Sequence, residues 1–195
     1  MKTVKAWHFL SANKRLGYSD GRQVRLGRTL KIKGQPKLCE HGLHASRRLI
    51  DALKYAAGPI ICRVDVGGDI DEGAGKLTGA ERTPEWWING TNLLHEFACR
   101  CAEDALRLAH VTDERCWNAI KVKRAWLAGK ASDEELAAAE SAAESTARST
   151  AWNSARFAAR GAARATARGA ATAAARSAQN RRLTAMVVVE RRKHG

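Results

Sequence analysis

Proline is scarce in this chain and stops early. All three prolines lie at or before Pro84, so no residue in the second half forces a helix to kink or end. Large apolar side chains are also few, because alanine supplies much of the 45% hydrophobic fraction. Alanine buries little area, so any core must be thin and closely packed. No apolar run approaches the roughly 20 residues that cross a bilayer, and no apolar leader opens the chain. With five cysteines, at 39, 62, 99, 101 and 116, these absences predict a soluble protein of a reducing cytoplasm. Reaction signatures are missing too. The chain has no P-loop, no G-x-S-x-G and no carboxylate pair of familiar spacing, and Gly67-Gly68 and Gly73-x-Gly75 read as turn glycines.

Acidic residues are outnumbered 20 to 34 by Lys and Arg, a net charge of +14. That balance favours nucleic acid or an acidic protein surface as partner. It is unevenly spread. The acids Asp133 to Glu144 come first in the last third, and only Glu190 lies beyond them. Past residue 145 the chain repeats every four residues: alanine at 147, 151, 155, 159, 163, 167, 171 and 175, with Arg148, Arg156, Arg160, Arg164, Arg168 and Arg176 following. Four residues turn an α-helix by about 400°, so such a stripe drifts by about 40° per repeat. Partners can follow it only by crossing, by right-handed supercoiling or where the helix breaks. Gly161 and Gly169 are the expected break or close-approach points. Ser132 and Glu135 have the form of a capping box, an ordered start to this helical region.

The first 92 residues read as a mixed α/β domain. VKAWHFL, QVRLGRTLKI and PIICRVDVGGDI are strand candidates. Ser46 is placed to cap a helix over RRLIDALKYAA, which Gly58-Pro59 ends. TPEWWINGT reads as a junction. Beyond it, LLHEFACRCAEDALRLA sets Leu94, Phe97, Ala98, Cys101, Ala105 and Leu108 at helical spacing. Thr112 or Asp113 then caps ERCWNAIKVKRAWLAG, whose buried stripe is Trp117, Ile120, the stem of Arg124 and Leu127. The predicted fold is α+β: a small mixed α/β domain over 1–92, followed by an Ala-rich helical hairpin or bundle over 93–195.

Two stretches resemble known families. The segment Cys39-Glu40-His41-Gly42-Leu43-His44-Ala45-Ser46, before a strand ending in valine and glycine, resembles the hallmark of a phage and prophage domain of unknown function over roughly 4 to 92. EFACRCAEDALRL, DERCWNAIKVKRAWLAGK and DEELAAA resemble an Ala-rich helical family of immunity proteins over residues 93 to about 185. Both resemblances imply an accessory protein of a mobile element in a bacterial host, and neither implies a reaction.

One enzymatic reading stays open. Gly42-Leu43-His44-Ala45-Ser46, then Tyr55, resembles the G-x-[YH]-x-[ST]…Y segment of ADP-ribosyltransferases. That likeness implies NAD as substrate, Trp7-His8 beside the nicotinamide ribose, and a carboxylate drawn from Glu81 or Glu85. The bland alternative makes His44 and Tyr55 partly buried framework residues. Metal ligation is disfavoured: Cys99 and Cys101 on a helix point about 200° apart and cannot chelate one ion together. Cys39 or Cys62 beside His44 carries no mark of an oriented nucleophile.

The basic stripe, extended by Arg181, Arg182, Arg191, Arg192 and Lys193, suits phosphates or acidic side chains. Trp86-Trp87 cannot both face one core in an extended chain. The leading expectation is a non-enzymatic binding or inhibitor protein, without cofactor or membrane contact, acting on a host protein or ribonucleoprotein complex such as a nuclease or defence assembly. The alternatives are the NAD-using transferase, with His8, His44, Tyr55 and Glu85, and a nonspecific nucleic-acid binder.

Overall fold

The computed structural model describes residues 3–17, 20–144 and 165–194, with side chains of the last helix described over 174–193. The fold is α+β. Strands β1 (Val4–Leu10), β2 (Leu30–Lys31), β3 (Leu43–Ala45), β4 (Ile60–Gly73) and β5 (Lys76–Asn89) form one antiparallel sheet. Helix α1 (Leu49–Ala52) and a 3-10 turn (Leu53–Tyr55) connect β3 to β4. Helices α2 (Thr91–Leu108) and α3 (Glu114–Leu127), a helix α4 over 133–144, and α5 (Ala165–His194) follow. The chain divides into two compact units, Met1–Thr91 with Ala178–Gly195, and Asn92–Ser177. Residues 178–195 thus join the first unit, whereas a division at 92/93 by composition assigns them to the helical part.

The first unit is organised by the β4–β5 hairpin. Each arm is 14 residues long, and the register slips between Arg63 and Val64 and between Gly67 and Ile70. Such bulges bend and twist a ribbon. β1 pairs with β4, while β3 pairs with β5 through Leu43–Gly79, His44–Thr78 and Ala45–Leu77. An isolated bridge between Trp7 and Ser46 returns β3 to β1, so the pairings run in a ring. Ala6, Leu10, Val24, Ala45, Cys62, Val64, Val66 and Leu77 fill one cluster. Alternation along β1 puts His8 on that same face between Ala6 and Leu10.

β5 is the largest departure from the sequence reading, which treats TPEWWINGT as a junction and assigns no strand to 76–83. Gly79 and Pro84 disguise it. Proline is tolerated here because it lies at the first register slip, opposite Val64, while its carbonyl accepts the Gly27 N–H at 2.8 Å. Trp86 and Trp87 separate to different neighbours. Trp86 meets Trp7 edge-to-face at 5.6 Å, and Trp87 lies against the buried cluster.

Ser46 does not cap α1: the N-cap position falls on Arg48, without a side-chain cap hydrogen bond, while the backbone of Ser46 bridges to Trp7. The N–H of Ile50 instead donates to Asn180 Oδ1 of α5 at 3.1 Å. On α5, Asn180, Leu183, Val187 and Arg191 recur at helical spacing. Leu183 and Val187 are fully buried, and Arg191 stacks on Trp86 at 4.4 Å. This face therefore lies on the strand unit. α5 runs unbroken through Gly169, one of the two expected break or close-approach points; Gly161, Trp152 and Phe157 lie outside the described residues.

The second unit is built from locally specified helices. Asp113 caps α3 by accepting the Arg115 N–H at 2.9 Å, and Gly129 takes the left-handed conformation after its end. The capping box forms as the sequence specifies: Glu135 N–H donates to Ser132 Oγ at 3.2 Å and Ser132 N–H to Glu135 Oε2 at 2.8 Å. Between α2 and α3, Arg124 is gripped by Glu96 at 2.9 Å and Glu103 at 2.5 Å. Phe97 and Cys99 are the buried residues of α2, whereas Cys101 is half-buried and Leu108 is 80% exposed. The apolar stripe read from spacing thus fails from Ala98 onward, where Ala98, Ala105 and Leu108 are exposed and Cys99 is buried.

Candidate functional site

The segment from Lys37 to Ser46 builds a wall of functional groups from a tight turn. Lys37 and His41 exchange backbone hydrogen bonds, from Lys37 N–H at 2.7 Å and from His41 N–H at 2.9 Å. Cys39 adopts φ 71° and turns its N–H toward His44 Nε2, which accepts at 3.2 Å. His41 Nε2 donates outward to the Lys33 carbonyl at 2.9 Å. Gly42 has φ 128°, and a Cβ there would collide with Thr78 Oγ1. Only glycine allows this approach. Leu43 and Ala45 then turn into the core, which leaves His44 between them on the opposite side of the short strand β3.

Opposite this wall lies β1, held in register by the two hydrogen bonds of the Trp7–Ser46 bridge at 2.7 and 2.9 Å. A cavity of about 490 Å³ is lined by residues of both β1 and β3. His8, His44 and Tyr55 all line it, together with Cys39, Arg15, Asp20, Glu40, Lys76 and Arg82. Its volume falls in the range of small-ligand sites. Tyr55 is 53% exposed and stands at the rim, with the Lys76 ammonium 5.0 Å from its ring centre.

Both histidines are neutral near pH 7. Burial drives His8 well below the usual imidazole range, and the positive charge of Arg82, then His44, adds to the effect. His44 is lowered as well, by burial first and by Lys76 next. Because His44 Nε2 accepts the Cys39 N–H, the proton of its neutral ring sits on Nδ1. The cavity therefore offers neutral imidazole edges.

Arg82 escaped the sequence reading. It is 2% exposed, and its Nη1 donates to the His44 carbonyl at 2.5 Å. Burial lowers its pKa to about 10. From Glu81 to Glu85, the buried Arg82 and Pro84 alternate with the half-buried or exposed Glu81, Thr83 and Glu85. This period-2 pattern is the signal that could have found it. An arginine at an inward position reads as polar, and the strand was not recognised.

Glu85 does not reach the cavity. It falls between the pairs Val64–Pro84 and Arg63–Trp86, as the extra residue of the register slip, and its carboxylate is held by Lys5. Glu81 pairs with Lys31 at 2.7 Å. The acids that do line the cavity have cations of their own: Asp20 pairs with Arg22 at 2.7 Å and Glu40 with Lys37 at 2.8 Å. Cys62 is buried in the core, with its thiol pushed up to about 12 by burial, which removes it from nucleophilic chemistry. Among the described residues no three His, Cys, Asp or Glu side chains gather as metal ligands.

Of the basic stripe, Arg148, Arg156, Arg160 and Arg164 lie outside the described residues, as does the side chain of Arg168. Arg176 and Arg182 are half-buried on α5 and Arg181 is exposed. Arg191 and Lys193 are engaged within the fold, on Trp86 and Glu190 respectively. No described helix is long and apolar enough to cross a membrane.

No curated protein and no solved structure matches the chain. Residues 4–96, which span all five strands and nearly the whole cavity wall from β1 to Arg82, match the family model of a domain of unknown function (DUF7666).

Proposed function

We propose that the strand unit is a small-ligand-binding module, with its ligand seated against His8, His44 and Tyr55. The observation that carries this reading is the convergence of these three residues, distant in sequence, on one cavity of about 490 Å³. Neutral imidazoles and a rim tyrosine suit a planar polar ring, the kind of group a nucleotide presents. Binding is favoured over group transfer by the position of the acids. A transferase needs a carboxylate free to polarise the attacking group, whereas Glu85 is held by Lys5 and the lining acids Asp20 and Glu40 are ion-paired within their own loops. An inhibitor that grips a host complex through its basic stripe would draw chiefly on arginines outside the described residues.

Titration of the whole protein with NAD and with nicotinamide tests this reading, with the imidazole signals of His8 and His44 followed by NMR. Binding that moves both rings, weakens at least tenfold in His44→Ala and releases no nicotinamide from NAD is the expected result. Steady release of nicotinamide from NAD would establish transfer or hydrolysis instead. If neither compound moves either ring, ligands of the nicotinamide class are excluded.

A further inference from the structure

Arg82 lines the cavity and is almost fully buried. Only Nη1 has a hydrogen bond among the described residues, and the buried Nε has no partner. The thiol of Cys62 and the carboxylate of Asp20 act on Arg82 electrostatically, but Cys62 stays protonated and Asp20 is already held by Arg22. Burial of a cation without a counter-charge is strongly unfavourable unless something supplies one. Such an unsatisfied group calls for an explanation in a folded protein.

We propose that the cavity takes a ligand bearing a phosphate oxyanion and that Arg82 is the group that binds it. This inference rests on the ligand-pocket reading above and names the ligand's chemistry. A guanidinium presents N–H donors in a fixed fork that matches two phosphate oxygens, and it keeps its charge when desolvated. Arg15 and Lys76 in the same lining raise the potential for an anion, while Asp20 and Glu40 are offset by Arg22 and Lys37. The cavity has room for more than a free ion, so the phosphate of a nucleoside ester and inorganic phosphate are both admissible sources.

The full-length protein is titrated with inorganic phosphate, adenosine monophosphate and adenosine. Calorimetry and the ring signals of His8 and His44 report binding, in the wild type and in Arg82→Lys and Arg82→Met. Adenosine monophosphate should bind at least tenfold more tightly than adenosine, weaken at least tenfold in Arg82→Lys and lose its advantage in Arg82→Met. Without ligand, Arg82→Met should melt at the same or a higher temperature than the wild type, because it removes an unpaired buried charge. Binding of inorganic phosphate alone would support the anchor and identify the free ion as the ligand. Equal affinity for adenosine and its monophosphate, with both rings moving, would overturn the anchor and leave the pocket reading intact. Undiminished preference for the monophosphate in Arg82→Lys and Arg82→Met would overturn the assignment to Arg82. Silence toward both phosphate probes overturns the anchor; silence that extends to adenosine and nicotinamide overturns the pocket reading with it.

Discussion

The two units of this protein are stabilised in different ways. In the strand unit, Phe9, Leu10, Ile61, Val64, Val66 and Leu77 are at most 1% exposed, and they bring β1, which ends at Leu10, together with the β4–β5 hairpin, which begins at Ile60. In the helical unit the most buried described residues, Phe97, Cys99, Ile120, Leu136 and Ala139, retain 5–8% exposure. That unit relies more on polar devices: the local Asp113 cap and Ser132–Glu135 box, and the grip of Glu96 and Glu103 on Arg124 from the neighbouring helix. A unit built on non-local burial can hold a buried arginine and two neutral histidines around a cavity, because its backbone is fixed from several sides. Among its described residues, the unit of capped helices has no side chain buried as completely as Arg82. The candidate site lies where the long-range core is, which is what precise placement of polar groups requires.

The largest test of this contrast is removal of a core side chain from each unit. Leu183→Ala, from a site with no exposure, should cost about 3 kcal/mol, and Leu136→Ala, at 8% exposure, about 2 kcal/mol. Denaturant unfolding measures both. Equal costs would erase the distinction. A strong loss of hydrogen-exchange protection in β4 and β5 for Leu183→Ala, but not for Leu136→Ala, would sharpen it, since residues 178–195 belong to the strand unit.

Gly42→Ala should cost about 2–3 kcal/mol, because the new Cβ meets Thr78 in a backbone conformation that disfavours side chains. Gly129→Ala also sits at positive φ, at 67°, but has open space around it, and should cost about 1 kcal/mol. Thermal melting of the two variants separates the tight turn of the site from an ordinary helix end.

Acid should weaken the strand unit through its histidines. His8 and His44 are both lowered in the folded state, chiefly by burial, so the unfolded chain takes up protons near pH 6.5 that the folded chain refuses until lower pH. Their contribution to stability is thus complete above about pH 6.5 and is lost as the pH falls through the folded values. Arg82, Arg15, Lys76, Asp20 and Glu40 share their cavity and set the local field. His8→Asn should flatten the dependence of the urea midpoint on pH below 6.5, and an unchanged slope would refute the assignment.

The smallest effects come from the caps. Asn180→Ala removes the long-range acceptor of the Ile50 N–H, and Ser132→Ala removes a local one; each should cost about 1 kcal/mol. They differ in what else they disturb. Ala52 and Tyr55, just beyond Ile50, line the cavity, so Asn180→Ala should also lower ligand affinity a few-fold, while Ser132→Ala leaves it unchanged. Parallel titrations of the two variants make the comparison.

The elements legible in the sequence are those whose signals are local. The alternation of VKAWHFL, the run from Pro59 to Ile70 and the helices around Phe97 and Ile120 follow from periodicity. The Asp113 cap and the Ser132–Glu135 box follow from short-range hydrogen bonding. His8, His44 and Tyr55 were nameable from residue type and a motif resemblance. Arg82 was not, because its inward position depends on a strand that Gly79 and Pro84 conceal.

By itself, the sequence singled out His8, His44 and Tyr55 by residue type and a motif resemblance, and it determined a strand-rich first half and capped helices in the second. These depend on interactions within a few residues, whose geometry the backbone dictates wherever the chain goes. Only the tertiary structure decided that a bulged hairpin returns β3 to β1, that Glu85 turns to Lys5 rather than the cavity, that Asn180 caps a helix 130 residues away, and that Arg82 is buried with an unpartnered Nε. The physical reason is that register and burial are settled by partners distant in sequence. A one-residue shift in pairing turns a strand's side chains to the other face, and no local pattern records which partner will be there.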